Sequence, residues 1–528
     1  MEIETRGRAS RKRTARLWTP QQADSAVVPD GAATRASRLP KLIAATVLAF
    51  AMAFGAAPLG AVADDVDLTP GPTVIKDPAS PTGYTGHFVY YNPTATSVRF
   101  VADILLRDWE NPTSTTVYQP QQYRPGLMRG AGAYDVQMTK VGDGYWVTDV
   151  PLAAGPNQYW FYVNNNTNLW VADPANSPIF APDGLTGTAR RAFNKVFVPY
   201  DAEKQNYAPL AARQIENERP DSPKGTWSYV PIQIGTAART LGVYLPPGYD
   251  ANRAEPYKTI YMQHGGGQDQ SDWMNMGDVP VIMDNLIQDG STEPAVVITT
   301  NTNYLGSSAQ GYPNLRNIVI PFVESNYNVS TAAIDRAFAG LSAGSSVTQG
   351  LIRFDATKFG YYGPWSGGAS VPATTVNIDK PYILYGGGRW DFGLPNANTV
   401  AALDQVAFVE NVVVAGAHDF NTWNQMFTTW ARDYLWHPEA FVIDEITQIK
   451  DGVAATSLNK GNKNALTVKL DQALKLVAKG DNAGALEVLN GFVTQVGEFT
   501  TAGKLTDEQA ASLLATAGQL TSNVAYWQ

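Results

Sequence analysis

Cysteine is absent from this chain of 528 residues. Disulfide bonds, metal–thiolate sites, a cysteine nucleophile and a lipid-bearing N-terminal cysteine are therefore excluded. Histidine is nearly as scarce, because the chain has only His87, His264, His418 and His437. A reaction that needs an imidazole base must use one of these four side chains.

Charged residues make up only 16% of the chain, and 48 acidic residues outnumber 39 basic ones. This balance argues against nucleic acid or an anionic membrane as the partner. Aromatic residues, in contrast, reach 11%, with 13 Trp and 25 Tyr. That composition suits contact with sugar rings or aromatic acyl groups, although core packing explains most of these residues equally well. Nothing in the sequence predicts a cofactor or a metal.

Residues 1–63 have the composition of a leader. A basic stretch precedes an apolar segment, residues 42–57, which is shorter than the roughly 20 residues needed to span a bilayer. Small residues follow at 61–63, before two aspartates. We expect a secretory signal peptide, a secreted extracellular protein and no stable membrane insertion after cleavage, with an uncleaved anchor as the alternative. The leader carries nine basic and four acidic residues, so its removal changes the formal net charge from −9 to about −14.

A serine lies between two glycines in the run Gly340-Leu341-Ser342-Ala343-Gly344, directly after an apolar stretch. This pattern is typical of a nucleophile elbow, a tight strand-to-helix turn that exposes the serine oxygen above a sheet. Its flanking positions have room for little more than hydrogen. Alone the pattern is weak, because a chain rich in Gly and Ser matches it by chance, so the prediction depends on the residues that follow.

A serine nucleophile needs a histidine base and a carboxylate that orients the histidine. His418 is the best candidate base, because it lies in a loop directly after the strand-like run 412–414. Asp391 follows another strand-like run, residues 381–385, and completes the order Ser, Asp, His that α/β-hydrolases use. Asp404 and Glu410 lie in the same interval and remain alternative acids.

An oxyanion hole needs two backbone N–H groups. Ala343 would supply one of them. The other would come from Gly266 or Gly267, in an HGGG loop that begins at His264 after the buried strand predicted at 259–263. The sequence does not choose between the two glycines. We expect His264 to orient this loop rather than to act in catalysis.

Six stretches between residues 225 and 440 match motifs of one enzyme family: 239–249 (RTLGVYLPPGY), the loop at 264–267 with Trp273, 320–324 (IPFVE), the elbow, 359–360 with 366–368, and 418–423 (HDFNTW). Together they resemble the esterase D-like group of α/β-hydrolases, which includes feruloyl, acetylxylan and enterochelin esterases. The resemblance implies a mostly parallel sheet, a serine triad and ester hydrolysis through an acyl-enzyme.

The chain departs from the family pattern at two places. Ser345 stands where the family usually has a further glycine after the elbow, and Gly416-Ala417 stands where a glycine pair usually precedes the histidine. Neither departure removes a catalytic atom, but both change the shape of the pocket. Asp419, next to the histidine, is expected to cap the following helix.

The flanking regions have different patterns. Residues 68–200 contain short β-rich runs separated by turns, which predicts a β-sandwich, and they resemble the immunoglobulin-like domain that precedes many such esterases. Trp146, Trp160 and Trp170 are candidates for stacking on sugar, with core packing as the alternative. A polar, proline-containing linker is expected at 206–224. Residues 446–528 predict a small three-helix module, including a capping box at 506–509.

The sequence as a whole predicts a multidomain protein: an N-terminal β-sandwich, a central α/β-hydrolase at 225–440 and a C-terminal helical bundle. We expect a secreted serine esterase that hydrolyses feruloyl or acetyl esters, with an acylated polysaccharide or oligosaccharide as its substrate. Three alternatives remain: a mycolyl-type acyltransferase, an enterochelin-type siderophore esterase and a catalytically silent glycan-binding protein.

Overall fold

The N-terminal region is built from antiparallel strands. The structure is a computed structural model that describes residues 67–130, 132–183, 194–207, 213–368, 381–394, 400, 403 and 407–526. The predicted signal peptide at 1–63 and the alternative acid Asp404 lie outside the described residues. The strands of this region are β1 Gly71–Lys76, β2 Tyr84–Tyr91, β3 Val98–Ala102, β4 Leu106–Asp108, β5 Leu127–Arg129, β6 Tyr134–Gln137, β7 Thr139–Val141, β8 Tyr145–Pro151, β9 Gly155–Val163 and β10 Asn194–Val198.

Two four-stranded sheets, in the orders β1-β2-β8-β7 and β10-β9-β3-β6, share one core. Alternating aromatic residues of both sheets meet there, as in the contact of Phe88 with Phe100 at 4.3 Å between ring centroids. Trp146 and Trp160 are buried, and Trp160 stacks on Trp170 at 4.1 Å. Packing within the protein, the alternative to sugar stacking, accounts for these tryptophans.

The central region holds an eight-stranded mixed sheet in the order β11-β12-β14-β13-β15-β16-β17-β18. Strands β11 and β12 are antiparallel to their neighbours, whereas the pairs from β14 to β18 are parallel. The strands are β11 Thr226–Ile234, β12 Ala237–Leu245, β13 Lys258–Gln263, β14 Ala295–Thr300, β15 Arg336–Leu341, β16 Tyr361–Trp365, β17 Tyr382–Gly388 and β18 Phe408–Val414.

Helices cover both faces of this sheet. Every residue of β14 to β17 is buried, as expected for parallel strands with a helical layer on each side. Successive residues of β13 alternate between two cores, because Ile260 and Met262 lie in one and Tyr261 in the other. The helices of this region are α1 Asp272–Asn275, α2 Val279–Gln288, α3 Ile320–Asn326, α4 Ala343–Asp355 and α5 Phe420–Thr429.

The C-terminal region is helical. Its helices are α6 Pro438–Ala455, α7 Lys460–Val477, α8 Asn482–Thr501 and α9 Asp507–Tyr526. The capping box is present, since the Gln509 N–H donates to Thr506 Oγ1 at 3.2 Å and the Thr506 N–H donates to Gln509 Oε1 at 3.4 Å. Helix α6 adds a fourth helix that the periodicity did not predict, and it crosses the expected boundary at residue 446. Its residues Val442 and Ile446 belong to the helical core.

Candidate active site

Ser342 occupies a strained turn between β15 and α4. Its φ of 51° and ψ of −115° are rare for any residue other than glycine. A Cβ at Gly340 would lie 2.3 Å from the Gly344 carbonyl oxygen, and a Cβ at Gly344 would lie 2.5 Å from the Gln263 carbonyl oxygen. The two glycines are therefore required by close backbone contacts, as the elbow pattern implies.

The structure brings Ser342, His418 and Asp391 together. His418 Nε2 lies 2.9 Å from Ser342 Oγ, and His418 Nδ1 lies 2.9 Å from Asp391 Oδ1. The side chain of Asp391 is fully buried, whereas that of His418 is 21% exposed. The three residues follow β15, β17 and β18, whose carboxyl ends lie at the same edge of the sheet.

The acid is held by its own loop. Asp391 Oδ1 also accepts a hydrogen bond from the Gly393 N–H at 2.7 Å, and Oδ2 is buried with no hydrogen-bond partner among the described residues. Glu410, the alternative acid, lies within strand β18, and His418 Nδ1 is hydrogen-bonded to Asp391. Asp419 caps α5 as expected, because its Oδ1 accepts from the Thr422 N–H at 3.1 Å.

The loop after β13 contains the predicted oxyanion donors. The Gly265 N–H donates to Gln268 Oε1 at 2.7 Å, so this amide is occupied. Gly266 is exposed, and Gly267 has a φ of 73°. Ala343 is the first residue of α4, where backbone N–H groups have no intrahelical acceptor.

The other histidines have partners away from Ser342. His264 Nδ1 lies 2.7 Å from the Gly265 carbonyl oxygen, and its Nε2 accepts from the Thr302 N–H at 3.4 Å. His264 therefore connects the HGGG loop to the segment after β14. His437 Nδ1 pairs with Glu439 at 3.1 Å.

Neighbouring residues contact both positions at which the chain departs from the family pattern. Ser345 is buried, and a Cβ at Gly367 would lie only 2.3 Å from the Ser345 side chain. The serine fits because residue 367 is glycine. The Ala417 carbonyl accepts from Thr422 Oγ1 at 2.6 Å, which ties the histidine loop to α5.

Two aromatic rings contact the imidazole of His418. The Phe392 ring stacks on it at 4.1 Å between centroids and an interplanar angle of 28°. The Trp423 ring meets it edge-on at 5.2 Å and 83°. Trp423 is buried and donates from Nε1 to Ser366 Oγ at 2.9 Å. The sequence pattern did not indicate that Phe392 contacts the base.

Two buried arginines from outside the central sheet converge on Asn421 of α5, three residues after His418. Arg129 of β5 donates from Nη2 to Asn421 Oδ1, and it also donates to the carbonyl oxygens of Pro156 and Ala154. Arg213, in the expected linker, donates to the Asn421 carbonyl oxygen at 2.6 Å. No sequence motif marks these arginines, because their partners lie far away in the chain.

The electrostatics of this cluster follow from burial. Burial and the nearby Arg213 charge lower the pKa of Arg129 to about 9. Burial raises the pKa of Asp419 above its usual value, and the Arg129 charge opposes that change. Arg213 forms an ion pair with the buried Glu216 at 2.8 Å. The expected linker therefore contributes a buried, charged contact rather than only a connection.

The N-terminal region also lies beside the oxyanion loop. A cavity of about 140 Å³ is lined by Gly267 and Gln268 of that loop and by Ile179 and Phe180 of the N-terminal region. Across the described residues, no group of three or more His, Asp or Glu side chains is arranged to hold a metal ion. Within the same ranges, no helix is long and apolar enough to cross a membrane.

Two family models match the chain. The model described as putative esterase matches residues 236–382, and the FIMAH domain model matches residues 444–522. The esterase match lies within the central region. Ser342 lies inside the esterase match, while Asp391 and His418 lie beyond its end. The resemblance to esterases expected from the sequence is thus confirmed.

Curated proteins similar to this chain include larger enzymes. The endo-1,4-beta-xylanase/feruloyl esterase of Xylanibacter ruminicola is 33% identical over 212 residues, which is 37% of this chain and 29% of that protein. Endo-1,4-beta-xylanase Y of Acetivibrio thermocellus is 33% identical over 141 residues, 24% of this chain and 13% of that protein. The chain spans less than a third of the length of these curated relatives.

Solved structures also show similarity to this chain. The enterobactin esterase of Shigella flexneri, solved in the presence of enterobactin, covers 70% of this chain and 97% of its own. The identity is 16% and the TM-score is 0.44.

Proposed function

We propose that this protein is a serine esterase that hydrolyses carboxylic esters through an acyl-enzyme. Ser342 Oγ attacks the ester carbonyl carbon while His418 Nε2 takes the serine proton. Asp391 orients the imidazole and stabilises its positive charge. The N–H groups of Ala343 and of Gly266 or Gly267 bind the oxygen that becomes negative.

The second half of the reaction uses the same groups. The imidazolium of His418 donates its proton to the leaving alcohol, and the bond between the carbonyl carbon and the alcohol oxygen breaks. A water molecule then gives a proton to His418 and attacks the carbonyl carbon of the acyl-enzyme. The bond between this carbon and Ser342 Oγ breaks, His418 returns the proton to Ser342 Oγ, and the acid is released.

One observation carries this proposal: the two hydrogen bonds of 2.9 Å that join Ser342, His418 and Asp391 at a strained elbow. A backbone in a rare conformation persists only where its surroundings hold it, and such strain clusters at active sites. The close contacts of Gly340 and Gly344 supply that constraint here.

The substrate class is proposed from the relatives. One of them is named as both a xylanase and a feruloyl esterase, which supports feruloyl esters on a polysaccharide, with acetyl esters as the alternative. A feruloyl or acetyl esterase that acts on a polysaccharide works outside the cell, so we also propose export by the signal peptide at 1–63. We further propose that residues 68–200 are an immunoglobulin-like sandwich and 225–440 the hydrolase, and that the separate helical domain expected at 446–528 also includes the start of α6.

The test compares the chain from Asp64 onward with its Ser342→Ala variant on p-nitrophenyl acetate and methyl ferulate. We expect hydrolysis of at least one ester by the wild type and loss of more than about 10³-fold in the variant. Equal rates for both proteins would contradict the proposal. Turnover of neither ester would also contradict it, and would favour the acyltransferase or the glycan-binding alternative.

A further inference from the structure

Phe392 is the most exposed large apolar side chain among the described residues, with 85% of its surface accessible. Single exposed apolar residues are ordinary on protein surfaces. This one differs because it directly follows Asp391 and stacks on the imidazole of His418. An apolar ring therefore lies in solvent against the proposed base.

The position of Phe392 is set by its loop. Arg389 donates to the Trp109 carbonyl oxygen at 2.7 Å, and its guanidinium lies 4.3 Å from the Trp109 ring. Trp390 packs edge-on against the same ring at 6.2 Å. The Gly393 N–H is bound to Asp391. The loop is thus anchored on both sides of Phe392, which holds the exposed ring in place before substrate arrives.

His418 does not need Phe392 for its orientation. Its Nδ1 is bound to Asp391, and its ring is packed against the buried Trp423, which is itself bound to Ser366. A role for Phe392 in holding the imidazole would duplicate these contacts. Its outward face is free of burial and available to a ligand.

The positions of the catalytic groups determine which part of the ester lies next to the Phe392 ring. The oxyanion donors bind the carbonyl oxygen, whereas His418 Nε2 must reach the oxygen of the leaving alcohol to protonate it. A ring stacked on the imidazole therefore lies beside the alcohol portion. We propose that Phe392 is a platform for the alcohol portion of the substrate, and that this portion is a sugar ring; the proposal rests on the esterase function proposed above.

The first experiment uses two feruloyl esters that differ only in the alcohol: methyl ferulate and a feruloylated arabinoxylan oligosaccharide. We expect Phe392→Ala to lower the ratio of kcat/KM for the sugar ester to that for the methyl ester about tenfold. Phe392→Tyr, which keeps the ring, should preserve the ratio. Phe354→Ala is the matched control, because Phe354 is also an exposed phenylalanine but lies at the end of α4.

An unchanged ratio would overturn the proposal. If kcat/KM fell equally on both esters, the effect would lie on His418 or on the acyl group, and if neither value fell, Phe392 would have no role in either reaction. Either result leaves the esterase function intact if wild-type turnover still depends on Ser342.

A binding measurement avoids dependence on turnover. Unesterified arabinoxylan oligosaccharide is titrated by calorimetry into Ser342→Ala and into the double variant Ser342→Ala/Phe392→Ala. We expect the Kd to rise about tenfold in the double variant. Equal Kd values, or no binding by either protein, would contradict a sugar platform.

Discussion

Arg129 and Asn421 are hydrogen-bonded to each other although 292 residues separate them in the sequence. Asn421 is the second residue of α5 and lies three residues after His418, so the contact joins strand β5 to the helix that directly follows the loop of the proposed base. The Asn421 carboxamide oxygen also accepts from Arg213. The N-terminal region is therefore coupled to the position of the histidine loop.

Replacing Arg129 tests this coupling. Arg129→Met removes a charged donor from four buried oxygens, so we expect the free energy of unfolding to fall by about 3 kcal/mol and kcat to fall about tenfold on any ester. Arg99→Met is the control, because Arg99 forms a more exposed pair with Asp135, which is worth about 0–1 kcal/mol. Equal effects of the two changes would exclude a special role for Arg129.

The identity of the acid is tested by comparing two carboxylates. Asp391→Asn keeps the oxygen that accepts from Gly393 but removes the charge that stabilises the imidazolium, so we expect kcat to fall about 10⁴-fold. Glu410→Gln should change kcat less than about twofold, because Glu410 lies within β18 and His418 Nδ1 is already hydrogen-bonded to Asp391. Steady-state kinetics on one ester gives kcat for both variants. A much larger loss of kcat in Glu410→Gln than in Asp391→Asn would make Glu410 the acid.

The elbow glycines are tested by adding a single methyl group. In Gly344→Ala the new Cβ would lie 2.5 Å from one backbone oxygen and 2.6 Å from another, so we expect a loss of about 3 kcal/mol or more in unfolding free energy. Gly497→Ala is the matched control, because Gly497 lies in α8 with open space around it; it should stabilise the protein by up to about 1 kcal/mol. Urea denaturation measures the free energy of unfolding of both variants. An unchanged value in Gly344→Ala would contradict the close packing of the elbow.

His87 predicts a dependence of stability on pH. Burial alone would lower its pKa, but the hydrogen bonds to the Asp67 carbonyl and the Asp149 carboxylate raise it above 6.5. Both partners only accept, so the two ring nitrogens donate best when the ring is protonated. The stabilisation is present in full below pH 6.5 and is lost as the pH rises through the folded-state pKa.

The measurement is the Tm between pH 5.5 and 8.5 for the wild type and His87→Gln. The wild type should lose more stability than the variant as the pH rises. Parallel Tm curves for the two proteins would show that His87 contributes nothing to the pH dependence.

The boundary of the helical region is testable with two fragments. The helical core includes Val442, Ile446, Ile449 and Val453 of α6, so a fragment from residue 436 to 528 should fold cooperatively. A fragment that starts at residue 456 lacks these four residues and should melt at a lower temperature or not fold. Circular dichroism measures the melting temperature of each fragment. Equal melting temperatures would place α6 outside the helical domain.

The features that could be predicted from the sequence depend on residues that are close together in the chain. The elbow at Ser342, the cap at Asp419 and the capping box at Thr506 each involve residues within a few positions of one another. Their geometry depends on short-range sterics and hydrogen bonding, which residue type and spacing encode directly. The buried strand before His264 is also visible, because parallel strands covered on both faces are apolar along their whole length.

The amino-acid sequence by itself determined the absence of thiol chemistry, the scarcity of bases, the elbow serine and the order of the three candidate residues. Tertiary structure alone decided which acid meets His418, where Arg129 and Arg213 bind, and that Phe392 stacks on the imidazole. The reason is physical: these contacts join segments that are distant in the chain, and their energy depends on packing and burial that exist only after the sheet has formed. A pattern of nearby residues cannot encode them.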